Sequence, residues 1–223
     1  VMVGRDVALA RLEAGRIHIC HVSAVETVEE VRRGKQQGVA VTAEVSPHHL
    51  LLIDEDVDGL DPATRKMNPP LRGRDDRAAL RAALIDGTLD CIATDHAPHG
   101  ASEKELPFPE APFGVTGLET AFPVLYTDLV LTGELPLDVL VRRMSGDAAR
   151  VVDLPQPTLA DGAEANLALV DLDATWDVTA DGFQSKSRNS AFLGRTLHGV
   201  VRLTVAQGRE AWRRLGTESG RLS

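Results

Sequence analysis

Residues 91–99 read Cys-Ile-Ala-Thr-Asp-His-Ala-Pro-His, an apolar run that breaks abruptly into an acid and two histidines. The pattern is that of a buried strand with a metal site at its C-terminal end. In parallel β/α barrels the chemistry sits there, because the βα loops converge over rigid strand ends. Asp95 and His99 are the first candidate functional residues. His21 closes a second apolar run, Ile17-His18-Ile19-Cys20-His21-Val22-Ser23, in the same manner. Two strand ends carrying ligand-type side chains make a site.

The segments between these runs carry helical periodicity. Val7, Ala8 and Leu12 predict a helix over 5–14 that stops at Gly15, and a strand follows over 17–22. Ser23 and Glu26 form a capping-box pattern ahead of Val25, Val28 and Val31, Gly38 ends that helix, and 39–45 is β-rich. A polar loop with Asp54, Asp56, Asp58 and the Asn68-Pro69-Pro70 break leads to an Ala/Leu helix over 75–86, and 89–94 is the third strand. Strands alternating with helices predict a parallel sheet or barrel buried on both faces. Residues 96–117 lack periodicity and hold four prolines, as an active-site loop or lid does. Helices are expected at 118–132 and 136–152. From Pro155 the pattern turns to short alternating strands, clearest at 166–172 and 199–207, with Trp176 and Trp212 in their packing.

Composition removes several function classes. A net charge of -9, with the 24 Lys and Arg interspersed among acids, argues against a nucleic-acid surface. Cys20 and Cys91 both fall in predicted buried strands without CxxC spacing, so neither a disulfide scaffold nor a zinc knuckle is expected, and a reducing, cytoplasmic setting fits. No apolar stretch approaches membrane-spanning length, and charged residues interrupt the first twenty positions as no signal peptide would. A closed barrel takes eight strand and helix units, whereas three strands are predicted here. The chain opens Val1-Met2 and is expected to be the C-terminal portion of something larger.

HVS at 21–23, TAEVSPHHLLL at 42–52, KMNPPLR at 66–72, ATDHAPH at 93–99 and PFGVTGLET at 112–120 together resemble one family closely: dihydroorotase, the class I type of the amidohydrolase superfamily. The similarity runs in order through nearly the whole chain, including Trp176 and Ser185-Lys186-Ser187. It implies an α/β fold, the C-terminal part of a metal-dependent TIM-like β/α barrel over 1–154, with an accessory β-rich domain over 155–223. By the resemblance, His21 binds the more buried of two zinc ions, while Asp95 binds the more exposed one and shuttles a proton. Those roles suit a neutral imidazole and a carboxylate able to accept a proton from water. His99 would help hold the substrate carboxylate, Asn68 would hydrogen-bond the substrate ring, and the backbone of Phe113 and Gly114 would contact it, glycine permitting close approach.

The implied reaction is zinc-dependent, reversible hydrolysis of the cyclic amide of (S)-dihydroorotate to N-carbamoyl-L-aspartate, a step of pyrimidine biosynthesis. A homodimer and an association with aspartate transcarbamoylase are the implied partnerships. The family's His-x-His, bridging Asp or carboxylated Lys, and strand-five histidine have no counterpart in these residues, so the isolated chain is expected to bind metal weakly and to lack turnover. Two rivals share the motifs in part: a hydantoinase or allantoinase, and a noncatalytic dihydroorotase-like partner of aspartate transcarbamoylase. His48 and His49, after Pro47 at a strand end, would face opposite ways on extended chain and are read as outer residues. His18, three before His21, would point to the other face and is read as structural. Lys66 and Arg72 flank Asn68 and could add positive charge near an acidic substrate, but surface solvation is the commoner fate of such residues.

Overall fold

A computed structural model describes residues 1–57 and 62–214; Asp58 of the acidic loop and residues 215–223 of the tail lie outside the described residues. The first part alternates as expected: α1 Met2–Leu12, β1 Arg16–Ile19, α2 Val25–Gln36, β2 Ala40–Val45, α3 Pro47–Leu51, α4 Arg74–Asp86 and β3 Cys91–Ile92. The three strands pair in parallel in the order β1-β2-β3, with His18 opposite Thr42 and Glu44 opposite Cys91. Among the described residues this sheet is open, not a closed barrel.

Alternation along β2 separates the two faces. Val41, Ala43 and Val45 are buried in one hydrophobic core with Val28 and Val31 of α2 and Leu80 and Leu84 of α4. Thr42 and Glu44 take the opposite face with His18, which hydrogen-bonds Thr42 Oγ1 at 2.8 Å and approaches Glu44 Oε2 at 3.2 Å. One face of the sheet is therefore core, and the other is a polar floor.

Local signals yield to tertiary contacts at several element ends. The capping box expected from Ser23 does not form, since Ala24 precedes the helix without a side-chain cap. Asp76 serves instead: its Oδ1 accepts from Val25 N at 3.0 Å, and its Oδ2 accepts from Gly73 N at 3.2 Å. One carboxylate in the first turn of α4 thus satisfies exposed N–H groups ahead of two helices. β1 stops at Ile19 rather than reaching residue 22, so Cys20 is exposed instead of buried; both cysteines are free. β3 is shorter than predicted because β2 offers ladder partners only at Glu44 and Val45.

The loop after β3 contains α5 Ala101–Lys104 and leads to α6 Ala121–Leu125, which widens into a π turn over Tyr126–Val130. The single helix expected over 136–152 is two, α7 Leu137–Met144 and α8 Gly146–Val151, broken at Ser145 (φ -133, ψ -91). The buried Arg143 guanidinium explains the break's surroundings: it donates to Leu84 O, Asp90 O and Asp147 Oδ2 at 3.0, 3.3 and 3.0 Å, tying both helices to α4 and the root of β3.

The remaining strands, β4 Leu167–Asp177, β5 Thr196–Ala206 and β6 Arg209–Arg213, form an antiparallel sheet in that order. Trp176 sits edge-on to Phe183 with ring centroids 5.6 Å apart. Trp176, Val178, Leu197 and Val200 join the same core as Val124, Leu125 and Leu140. At Gly199 (φ +84) β5 comes so near α6 that an added Cβ would stand 3.0 Å from both Phe122 Cε1 and Tyr126 Cδ1, so this contact requires glycine. Among the described residues no helix is long and apolar enough to cross a membrane.

Candidate functional site

Where β1 and β3 end, the chain adopts left-handed backbone at His21 (φ 53) and again at Asp95 (φ 49). Non-glycine residues rarely take this conformation, and it concentrates where a side chain must be aimed. Its effect is to bring His21 Nε2 within 3.5 Å of Asp95 Oδ1. On the other side of the ring, His21 Nδ1 lies 3.0 Å from Glu44 Oε1. A carboxylate on Nδ1 favours the tautomer that leaves Nε2 free for a metal, the usual arrangement of ligating histidines.

His18 approaches the same Glu44 from the floor of the sheet. The expectation that His18 and His21 point to opposite faces is thereby corrected. Counting by twos holds only on extended chain, and the chain is no longer extended past Ile19. Glu44 lies within TAEVSPHHLLL without standing out there; its physical signal is a charged residue inside an otherwise apolar strand.

The charges interlock. Contact with Glu44 raises the His21 imidazole, against partial burial, and Asp95 adds to the rise. Burial pushes the Asp95 carboxyl up, with His21 opposing and Glu44 reinforcing. For Glu44 burial acts upward, but its contacts with His21 and His18 outweigh it and hold the carboxyl low. The result is one firmly ionised carboxylate behind the histidine and one more readily protonated carboxylate beside it. His18, Glu44 and Cys91 also place ligand-type atoms within 4.8 Å of one another. Both His18 nitrogens are already engaged, however, and burial pushes the Cys91 thiol up to about 12, so that group forms the floor of the site. The donor set His21 and Asp95, one nitrogen and one carboxylate oxygen converging from two strand ends, fits a divalent metal such as zinc.

His48 and His49 do not lie on extended chain. Ser46 and Pro47 start α3, with His49 N donating to Ser46 Oγ at 3.3 Å, and both imidazoles are buried with ring centroids 4.5 Å apart. His49 bridges Ser46 Oγ at 2.7 Å and Pro69 O at 2.9 Å, which anchors the loop carrying Asn68. Burial takes His49 down to about 4 and His48 well below its ordinary range, so both are neutral at pH 7.

Of the other predicted residues, His99, Phe113 and Gly114 lie on the loop after β3, whereas Asn68 lies on the loop between α3 and α4. Asp95 leads directly into His96, whose backbone bridges in parallel to Val115, and Ala97 N donates to Val115 O at 2.9 Å. The 112–116 segment therefore runs beside the exit of β3. His99 Nε2 donates to Phe113 O at 2.8 Å, and Gly114 N donates to Lys66 O at 2.8 Å, two residues before Asn68. Asn68 is exposed, as is the Phe113 ring. Gly114 (φ +107) lies so close that an added Cβ would stand 2.4 Å from Ala97 Cβ.

Lys66 corrects a further expectation: it is buried, not solvated. Its ammonium donates to Phe108 O, Pro109 O and Ala111 O at 2.6, 3.1 and 2.6 Å and lies 4.7 Å from the centre of the Phe113 ring. Lys104 Nζ donates to Pro112 O and Gly114 O, both at 2.9 Å. Arg72 is exposed, as expected. From far along the chain, buried Ser187 and Asn189 bond to His99, Ala97 and Gly114. No sequence motif announced either of these partnerships.

Residues 5–211 match the amidohydrolase family. The chain is 51% identical over 210 residues to the dihydroorotase of Brevibacillus brevis, an alignment covering 94% of this chain and 49% of that protein. The chain thus spans about half the length of the curated relatives it matches. Among solved structures it resembles the dihydropyrimidinase of Brevibacillus agri (TM-score 0.88, 26% identity, 95% of this chain and 48% of that one). It also resembles the inactive dihydroorotase-like domain of the Chaetomium thermophilum CAD-like multifunctional protein (TM-score 0.69, 25% identity, 92% of this chain and 53% of that one).

Proposed function

The chain belongs to the amidohydrolase family, and from that premise we propose that the polypeptide carrying these residues is a zinc-dependent dihydroorotase, its three parallel strands forming part of a β/α barrel. The reaction is hydrolysis of the ring amide of (S)-dihydroorotate to N-carbamoyl-L-aspartate, and its reverse. One observation carries the reading: His21 Nε2 and Asp95 Oδ1 converge to 3.5 Å from two strand ends held in left-handed backbone. The choice of substrate rests on identity, 51% to a dihydroorotase against 26% to a dihydropyrimidinase.

His21 and Asp95 would hold the metal, one on each ion of a two-zinc site. Bound metal supplies Lewis acidity toward the ring carbonyl and a water ionised at neutral pH. Asp95 would take the one proton left on that ionised water as its oxygen bonds to the carbonyl carbon. When the C–N bond breaks, Asp95 returns that proton to the departing ring nitrogen. A carboxylate suits both transfers, since it accepts a proton and gives it back within hydrogen-bond reach. Glu44 keeps the His21 ring oriented throughout. Asn68 meets the ring edge, and His99 with the Phe113–Gly114 backbone meets the substrate carboxylate.

Catalytic zinc takes three protein ligands in most sites, so residues other than these two complete the set. The test is ring opening of dihydroorotate by the complete polypeptide carrying these residues, with hydantoin and allantoin alongside, before and after chelation and zinc return. Zinc-restored turnover of dihydroorotate is the expected result. Turnover confined to hydantoin or allantoin would move the protein among its structural neighbours, and a folded, metal-loaded protein with no turnover would make it a noncatalytic relative.

A further inference from the structure

Ser187 and Asn189 lie on the connection between β4 and β5, about ninety residues from the loop they touch, and both are buried. Every polar atom of the Asn189 side chain is used. Its Oδ1 accepts from His99 N at 3.3 Å, and its amide donates to Ala97 O at 3.0 Å and to Gly114 O at 3.2 Å. Its own carbonyl accepts from Thr116 N at 3.1 Å. Ser187 Oγ donates to His99 O at 2.6 Å and lies 3.2 Å from His99 N. One residue therefore binds both passes of the loop, its side chain reaching 97–99 and Gly114 and its carbonyl reaching Thr116.

We propose that Asn189, assisted by Ser187, is the positioning residue that sets the spacing between His99 and the Gly114 ledge, and so the grip on the substrate's carboxylate. This deepens the dihydroorotase reading and rests on it. The amide is required rather than convenient. Its two N–H groups face two carbonyls on separate segments while its oxygen faces an N–H, a donor and acceptor pattern that no carboxylate of the same shape can supply. Neither residue touches substrate under this assignment. They act through His99 and Gly114, and a ledge displaced by an ångström costs binding without altering the reacting atoms.

The test compares wild type, Asn189→Asp, Ser187→Ala and Ser187→Thr in the complete polypeptide. Steady-state kinetics with dihydroorotate are read beside amide hydrogen exchange in the 97–99 and 113–116 segments. Asn189→Asp turns two donors into an acceptor facing two carbonyls. It should raise KM at least about ten-fold with kcat changed far less, and accelerate exchange in those two segments while α2 and α4 exchange as before. Ser187→Ala should raise KM about three-fold, the scale of one hydrogen bond, and Ser187→Thr should restore it.

Unchanged KM and unchanged exchange in folded Asn189→Asp would overturn the assignment. So would a loss of kcat in proportion to unfolded protein at constant KM, the mark of a merely structural residue. If Asn189→Asp does not fold, the serine pair decides by the same criteria. If wild type does not turn over dihydroorotate, the dihydroorotase reading fails by itself. Exchange then decides the clamp: local acceleration at 97–99 and 113–116 upholds it, and its absence sinks it.

Discussion

Under the proposed function, the ends of the parallel strands and the loop beside them solve the same problem, aiming groups at a reacting molecule, by different means. At the strand ends the aim is made by side chains: His21, Glu44 and Asp95 stand on rigid backbone, and each is fixed by its neighbour's charge. On the loop the aim is made by backbone. The carbonyls and N–H groups of residues 97–99 and 108–116 are taken up by Lys66, Lys104, His99 and Asn189, and what remains is a stiff ledge around a glycine. A side-chain site is damaged by changing its members. A backbone site is damaged by changing residues that never meet the substrate.

The sharpest way to break that contrast is to strike the first region at its centre. Asp95→Asn keeps shape and removes the proton acceptor, so turnover by the complete polypeptide should fall at least about 100-fold at unchanged melting temperature. A smaller loss would mean that another group carries the proton. In the second region Gly114→Ala forces a Cβ to within 2.4 Å of Ala97 Cβ at φ +107, and kcat/KM should fall on the order of 100-fold with metal content unchanged. Normal catalysis in that variant would show that the ledge yields easily.

Smaller effects sharpen the division. Glu44→Gln leaves in place the His21 nitrogen proposed to face the metal but weakens its orientation, so chelator competition should report metal affinity about 10-fold to 100-fold lower while loop exchange stays constant. His49 belongs to the scaffold beneath both regions. Its pKa in the folded chain is about 4, below its ordinary 6.5, so the unfolded chain binds the additional proton between those values. The stability it contributes is complete above pH 6.5 and is lost as pH falls through 4. The drop in melting temperature over that interval should therefore shrink in His49→Gln, and an unchanged slope would place the acid sensitivity elsewhere. Last, Asp76→Ala removes the shared cap of α2 and α4 and should cost about 1 kcal/mol of stability with kinetics untouched, a control that belongs to neither region.

The same contrast explains what the sequence revealed. The convergence of His21 and Asp95 was legible because each ends an apolar run with a ligand-type side chain, and the alternation of β1, α2, β2, α4 and β3 was legible in hydrophobic periodicity. Glu44 was overlooked because an acid at an alternate position of a strand reads like a surface residue, although here it faces a polar floor. His18 was misassigned by counting parity across residues 20 and 21, where the strand has already ended. For His48 and His49 the signal was present and went unread: Ser46-Pro47 is a helix start, a capping hydroxyl followed by proline in the first turn. Lys66 and Asn189 could not be read at all, because a buried lysine saturated by carbonyls and an asparagine joining two loop passes differ from exposed ones only in three-dimensional context.

The reach of Asn189 has a consequence for recombining such chains. A graft that exchanges everything after Pro155 between relatives looks natural, since the strands change character there. It would nonetheless separate the loop at 97–116 from the residues that brace it, giving each parent's recognition ledge to the other's brace. Junctions that keep 97–116 and 187–189 from one parent should yield folded hybrids more often than junctions chosen by secondary structure.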